Sequence, residues 1–379
     1  MSHLRPEDYC IVWIAPLPIE ARAAILMLDN EHAGNFPVGP GDDYVFQAGD
    51  MCGHNIAITT LPLGQEYETG SAAALASQAK RFFPNFRFGL LVGMAAGIPD
   101  LQSTPPRDIR LGDVLVSMGD VDRPGVLAYD LGRDKGEEDL IELLCHGHIL
   151  AETETIVKSA IGSIKNAKFP YESELFLPYY EAMKDKRHPN GTFADPGQEH
   201  DKFYQDDEAG VAHPVVRQPR PETERTRVWY GPIGSGEKLM KNAKMRDKLR
   251  DKYGIIGLEM EAAGTMNRIP VGVIRGACDY ADKHKNWDWQ PYAAAMAAAY
   301  AKAVLSKIPP TSMSHGRTDK GRKKRKARDW SDSDSNDDDV REERRSRGDR
   351  AGRTTTFRGQ GNQNVGSGSI SIGGGQYFS

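Results

Sequence analysis

Cysteine is scarce in this chain. Four occur among 379 residues (Cys10, Cys52, Cys145 and Cys278), with neither a CxxC pair nor metal-ligand spacing. That pattern speaks against a disulfide framework or a zinc site, and buried thiols in a reducing compartment are expected. Long apolar runs are missing too: none reaches the roughly 18 residues that a membrane-crossing helix needs. No charged-plus-apolar leader precedes the first strand-like segment, so a cytoplasmic protein with no membrane partner is expected. Nor is there a strong excess of one charge, with 49 Lys and Arg against 53 Asp and Glu. The balance is uneven along the chain, however. Residues 310–379 hold 15 basic and 10 acidic side chains, which leaves the first 309 residues acidic. An acidic body argues against a nucleic-acid-binding core.

What is present in those 309 residues is alternation. YCIVWIAP and NIAITTLPL read as buried strands, and IEARAAILMLD as a helix with apolar residues at 3–4 spacing. TGSAAALASQAKRFF predicts another helix, whose start Thr69 or Ser71 would cap. FRFGLLVGM has no charge after Arg87, as a strand buried on both faces should. Strands alternating with helices imply crossover units and a mainly parallel or mixed sheet. Residues 134–164 read as helical and 168–186 as helical or irregular. Residues 187–227, rich in Pro, Gly and charge, read as an insertion carrying loops over a cleft. WQPYAAAMAAAYAKAVLSKI predicts a closing helix, its small residues suited to packing on the sheet or on a second copy of the chain.

The segment IGLEMEAAGTMNRIPVGVIRGACDYAD (256–282) concentrates the chemistry. Glu259 and Glu261 flank Met260 where a strand-like run over 253–258 gives way to a helical AAGTMN. Asp279 follows the strand VGVIRGA. Ligands of open α/β sheets collect at the carboxyl ends of strands, so these acids should converge on one crevice. A methionine between two glutamates suits a ligand apolar on one side and rich in hydroxyls on the other, as a ribose is. Solvated acids at loop ends are the plainer alternative.

Together with four further segments, this one resembles the nucleoside phosphorylase and nucleosidase superfamily. CIVWIAPLPIEARAA (10–24) is similar to that family's opening strand and first helix, PNFRFGLLVGMAAGIP (84–99) to its central strand and small-residue turn, DIRLGDVLVS (108–117) to its next signature, and GPIGSGEKLM (231–240) to its purine-pocket strand. The five matches stand in family order over about residues 8–308 and most resemble the fungal variant associated with NLR-type immune receptors. The resemblance implies a three-layer α/β/α fold with a central mixed sheet and a homo-oligomer. It needs no metal and no organic cofactor. It implies a purine nucleoside or nucleotide substrate, with Asp279 donating to the purine N7, Glu261 accepting both ribose hydroxyls, and Met260 on the sugar face. Leu239 and Met240 stand at base-stacking positions, Cys278 replaces a serine common in relatives, and Glu20 with Arg275 would activate water. Asp279 as a helix cap and Glu20 as a first-turn acid are the purely structural alternatives.

Two departures bear on the nucleophile. Phosphorylases of this fold cradle phosphate with an arginine and a serine where this chain has Leu91 and Met94. A phosphate dianion there would have little to offset its desolvation. Hydrolysis of adenosine-type nucleosides or ATP is therefore expected, with phosphorolysis as the alternative and a non-catalytic nucleoside sensor as a third class. Thr69, Gly70 and Ser71 form a second anion-binding candidate at a helix start. Lys186, Arg187, Arg217 and Arg220 are placed to reach over the same mouth.

The globular domain is expected to end at residue 309. Residues 310–356 alternate basic and acidic blocks and read as a disordered linker, whose KGRKKRKAR fits a nuclear-import signal. Residues 357–379 lose their charge and mix Gly, Asn and Gln with β-branched residues. They loosely resemble the amyloid signalling motifs through which fungal effectors meet NLR-type receptors, with a passive flexible tail as the alternative.

Overall fold

A computed structural model describes residues 3–64, 68–133, 142–143, 150–168, 171–207 and 209–310. The tail, the segments around residues 134–149, and Cys145 lie wholly or largely outside the described residues, and the expectations for them are not taken further.

Eleven strands form one mixed sheet: β1 (Ile11–Ile14), β2 (Asn30–Glu31), β3 (Phe46–Met51), β4 (His54–Thr59), β5 (Phe88–Gly97), β6 (Val114–Ser117), β7 (Val126–Ala128), β8 (Val228–Gly231), β9 (Ile233–Ser235), β10 (Gly257–Glu259) and β11 (Val271–Asp279). The main path runs β8–β6–β11–β5–β1–β4–β3–β2. β5 lies parallel to both β1 and β11, while β6 meets β11 antiparallel. The far end of β5 turns to pair antiparallel with β10 at Gly257 and Gly97, and β10 leads on through β9 to β7. β5 is thus long enough to serve two strand neighbourhoods, and the site lies where it passes from one to the other.

Burial on both faces follows from strand periodicity. Ile11, Trp13, Leu90, Val92 and Ile274 point to one side, where α1 (Pro18–Leu26), α3 (Thr155–Lys165) and α7 (Trp289–Ser306) complete a core. Val12, Ile14, Leu91 and Val273 point to the other side, against α2 (Thr69–Phe82) and α6 (Ala262–Met266). This is the three-layer α/β/α arrangement expected from the sequence. The alanine run explains itself on β11: a Cβ on Gly276 would lie 2.0 Å from the Ala293 carbonyl oxygen. Strand and helix backbones touch there, so neither can carry a large side chain. α7 is also packed by α1, α3 and α4 (Leu177–Glu181), so its small residues are spent inside one chain.

Several local expectations change. The run over 253–258 is not one strand. Tyr253 ends α5 (Ala243–Tyr253), Gly254 follows at φ 67°, and only Gly257–Glu259 is extended. The helix predicted over 134–164 is helical, among the described residues, only from Thr155. Glu142–Leu143 instead pairs with Gly132–Arg133. Capping by Thr69 or Ser71 does not occur: Glu68 holds the N-cap position of α2, and the Thr69 hydroxyl donates to Glu237 at 2.7 Å. The 187–227 segment contains two antiparallel hairpins, Arg187–His188 with Gly191–Thr192 and Phe203–Asp206 with Ala212–Val215. Among the described residues, no helix is long and apolar enough to cross a membrane.

Candidate active site

Arg275 organises the site. It lies on β11 opposite Gly93 of β5, fully buried beneath three glutamates. Its Nη2 donates to Glu259 in a very short contact and to Glu261 at 2.9 Å, while its Nη1 stands 4.0 Å from Glu20 Oε1. Burial opposes the guanidinium charge, but the carboxylates outweigh it and raise the Arg275 pKa further. Leaving one of these charges unpaired in such an interior would cost several kcal/mol.

Each glutamate is held by a different local device. Glu20 sits in the first turn of α1, where its Oε2 accepts the Leu17 N–H at 2.7 Å. Its Oε1 accepts the Met94 N–H, also at 2.7 Å, which ties α1 to β5. Glu259 ends β10 and accepts the N–H groups of Glu261 and Ala262 at the start of α6. Glu261 spends only Oε2 on Arg275 among the side-chain bonds described, and its N–H on Glu259. Desolvation dominates both outer acids. It pushes the Glu20 pKa up to about 7 against the pull of Arg275 and the two backbone donors. It raises Glu261 as well, with Glu259 and Glu20 adding to the shift and Arg275 opposing it.

Asp279 closes β11 after an irregularity: Ala277 faces Ala95 and Asp279 faces Ala96, so Cys278 is the extra residue. A bulge of this kind re-aims the side chains that follow it. Asp279 Oδ1 accepts the Ala281 N–H at 2.9 Å, and Ala281 itself takes a φ of 54°. Asp279 Oδ2 receives the Cys278 thiol at 3.4 Å and pairs with Lys285 Nζ at 3.0 Å. Burial and the neighbouring carboxylate raise the Cys278 thiol pKa, so it acts here as a neutral donor.

A cavity of about 520 Å³ brings these groups together. Glu20, Glu259, Met260 and Glu261 line one part, and Leu239, Met240, Cys278 and Asp279 another. Met94 also lines it, whereas Leu91 is buried in the core below. Leu239 is 53% exposed at the mouth and Met240 packs on Leu258 and its neighbours. Thr69, Gly70 and Ser71 do not line this cavity, although Glu68 just before them does. The expected basic rim takes another course. Arg217 pairs with Asp201 at 2.9 Å and with Asp108, and Arg220 with buried Asp113 at 2.7 Å. Both clamp the insertion onto residues 108–113, because neighbouring carboxylates satisfy them before they could reach any mouth.

Sequence reasoning undervalued Glu259 and overlooked Tyr129, Lys285, Trp287 and Gln290, which also line the cavity. The last three stand in KHKNWDWQ directly after the acid, and that proximity was the available signal. Tyr129 lies in a stretch without periodicity, so nothing local marks it. No cluster of metal-ligating side chains occurs among the described residues.

No protein-family model matches the chain. It is 36% identical over 318 residues to a nucleotide-binding leucine-rich repeat (NLR)-like protein of Hyaloscypha variabilis; the match covers 82% of this chain but only 30% of that protein. Among solved structures, it is similar to the 5′-methylthioadenosine/S-adenosylhomocysteine nucleosidase of Neisseria meningitidis, with a TM-score of 0.51, 14% identity, and coverage of 79% of this chain and 99% of that one. Futalosine hydrolase of Helicobacter pylori is similar at a TM-score of 0.50, again with 14% identity and the same coverage. The chain thus has the nucleoside phosphorylase/nucleosidase fold, the one its five ordered motifs resemble.

Proposed function

We propose that this chain hydrolyses the N-glycosidic bond of purine nucleosides or nucleotides of the adenosine type. One observation carries the proposal: a single cavity joins the Glu20–Arg275–Glu261 cluster to Asp279 and an apolar strip of Leu239 and Met240. The solved neighbours are named as nucleosidases or a hydrolase, which supports the same reaction class.

Cleavage asks for a protonated leaving base, a sugar held as it becomes cationic, and a nucleophile on its opposite face. Glu261 keeps Oε1 for the cis diol of ribose, and hydrogen bonds of that kind contribute about 0.5–1.5 kcal/mol each. Met260 lies against the sugar. Glu20, with an ionisation near neutrality, takes a proton from water, and Arg275 fixes its orientation. Each Glu20 oxygen holds one backbone N–H and retains a second lone pair for that water. Asp279 stands at the purine edge as the acid, with Leu239, Met240 and Cys278 around the base. Leu91 and Met94 offer no charge to a phosphate dianion, which favours water over phosphate as nucleophile. The NLR-like relative supports an association with NLR-type receptors, and an oligomeric cytoplasmic enzyme is part of the same proposal.

Product chromatography tests this directly. Adenosine, guanosine, inosine and ATP are each incubated with the full chain, with and without inorganic phosphate. Free base without phosphate is expected, and Asp279→Asn should lower turnover by about 10²–10⁴-fold while retaining binding. Base release only with phosphate and with ribose 1-phosphate as the sugar product would make this a phosphorylase, and none at all would leave a nucleoside sensor.

A further inference from the structure

Asp279 has a second side. Behind it lies another cavity, of about 400 Å³, lined by His200, Lys202 and Tyr204 from the insertion and by His284 and Lys285 from the loop after the acid. Asp279, Cys278 and Lys285 line both cavities. Glu20, Glu259, Glu261 and Arg275 line only the first or are buried beneath it, so the rear cavity lies away from the water-activating cluster.

The chemistry of the rear cavity is one-sided. Two lysines and two imidazoles supply donors, and its one carboxylate, Asp279, is already paired with Lys285 at 3.0 Å. Glu199 stands 3.6 Å from His200 on the outer rim. The His284 ring is stacked on Tyr204 at 3.8 Å between centroids, which holds the loop and the insertion together. Lys285 uses one ammonium N–H on Asp279 and has others to offer.

We propose that the rear cavity is an anion site for a phosphoryl group, and that the bound anion draws Lys285 away from Asp279. The inference rests on Asp279 being the acid of the reaction proposed above. Asp279 is occupied on both oxygens, Oδ1 by the Ala281 N–H and Oδ2 by the Cys278 thiol and the Lys285 ammonium. A purine N7 is an acceptor and needs a proton on its partner. An oxyanion that draws the ammonium into the rear cavity opens Asp279 Oδ2 towards the base, so the anion activates the enzyme and does not attack the sugar. The insertion then acts as the arm that supplies Lys202 and His200 to a regulatory site.

The test measures purine release by the full chain against rising inorganic phosphate or UTP, with ionic strength matched by chloride. A saturable rise of about tenfold is expected, with ribose and not ribose 1-phosphate as the sugar product. The double variant Lys202→Ala/His284→Ala should lose the rise and retain the anion-free rate. Saturation at lower UTP than phosphate assigns the site to a nucleotide's phosphoryl chain, and the reverse order to free phosphate. No rise beyond chloride, an equal rise in the double variant, or ribose 1-phosphate as product would overturn the proposal. Should no nucleoside be cleaved at all, the hydrolase reading fails by itself. Equilibrium dialysis with labelled phosphate then decides the site: binding lost in the double variant upholds it, and absent or equal binding overturns it.

Discussion

Gly93 makes room for Glu20: a Cβ at position 93 would stand 2.1 Å from Glu20 Oε1 and 2.8 Å from Arg275 Nη1. The central strand lacks a side chain at the point where a helix acid and a strand cation approach each other. Gly93→Ala should therefore displace Glu20, destabilise the fold by about 1–3 kcal/mol and lower kcat/KM by about 10²-fold. Urea unfolding beside steady-state kinetics checks both, and wild-type activity in Gly93→Ala would remove Glu20 from the mechanism.

Glu20 also dictates a pH profile. With its carboxyl raised from 4.5 to about 7, kcat/KM for nucleoside cleavage should climb with pH and level off above neutrality. Stability should move the opposite way. The unfolded chain loses this proton near 4.5 and the folded chain only near 7, so the folded state binds more protons between those values. Unfolding free energy should thus fall as pH rises through that window, with Glu261 adding to the slope. Denaturant titrations across the same range measure it, and a rising curve would contradict the buried placement of these acids.

Removing Arg275 should be worse than removing any one of its partners. Arg275→Met leaves Glu20, Glu259 and Glu261 buried without a cation, for a loss of about 3–5 kcal/mol. Calorimetry would register it as a large fall in Tm. A variant as stable as wild type would show that water already screens the cluster.

Away from the site, Gly276→Ala would push a methyl onto the Ala293 carbonyl and separate α7 from β11. A destabilisation of about 1–3 kcal/mol is expected from such overpacking. An unchanged unfolding midpoint would mean that α7 can slide along the sheet.

Much of this protein could be read without coordinates because its strands are buried on both faces. Such strands must be continuously apolar, and GLLVGMAAG and VGVIRGA announce themselves. Glu261 and Asp279 were legible for a related reason, since one sits where a strand passes into a helix and the other at a strand end; Glu20 and Arg275, in a first helical turn and inside β11, were marked only by the family resemblance. The failures were equally local. Tyr253–Leu258 looked extended because its apolar residues cluster, yet the αL position of Gly254 breaks it into a helix end and a short strand.

Non-local electrostatics decided the rest. Glu20 lies 74 positions from the Met94 amide that holds it, and Arg220 lies 107 from the Asp113 that buries it. Spacing along the chain carries no trace of such pairs, since each charge takes whichever opposite charge the fold brings within reach. Strand periodicity and turn chemistry set the layers, and the resemblance of the motifs pointed to the acids. Only the packed fold decided that three glutamates share one arginine, and that Lys285 stands beside Asp279, because burial leaves no water to take a partner's place.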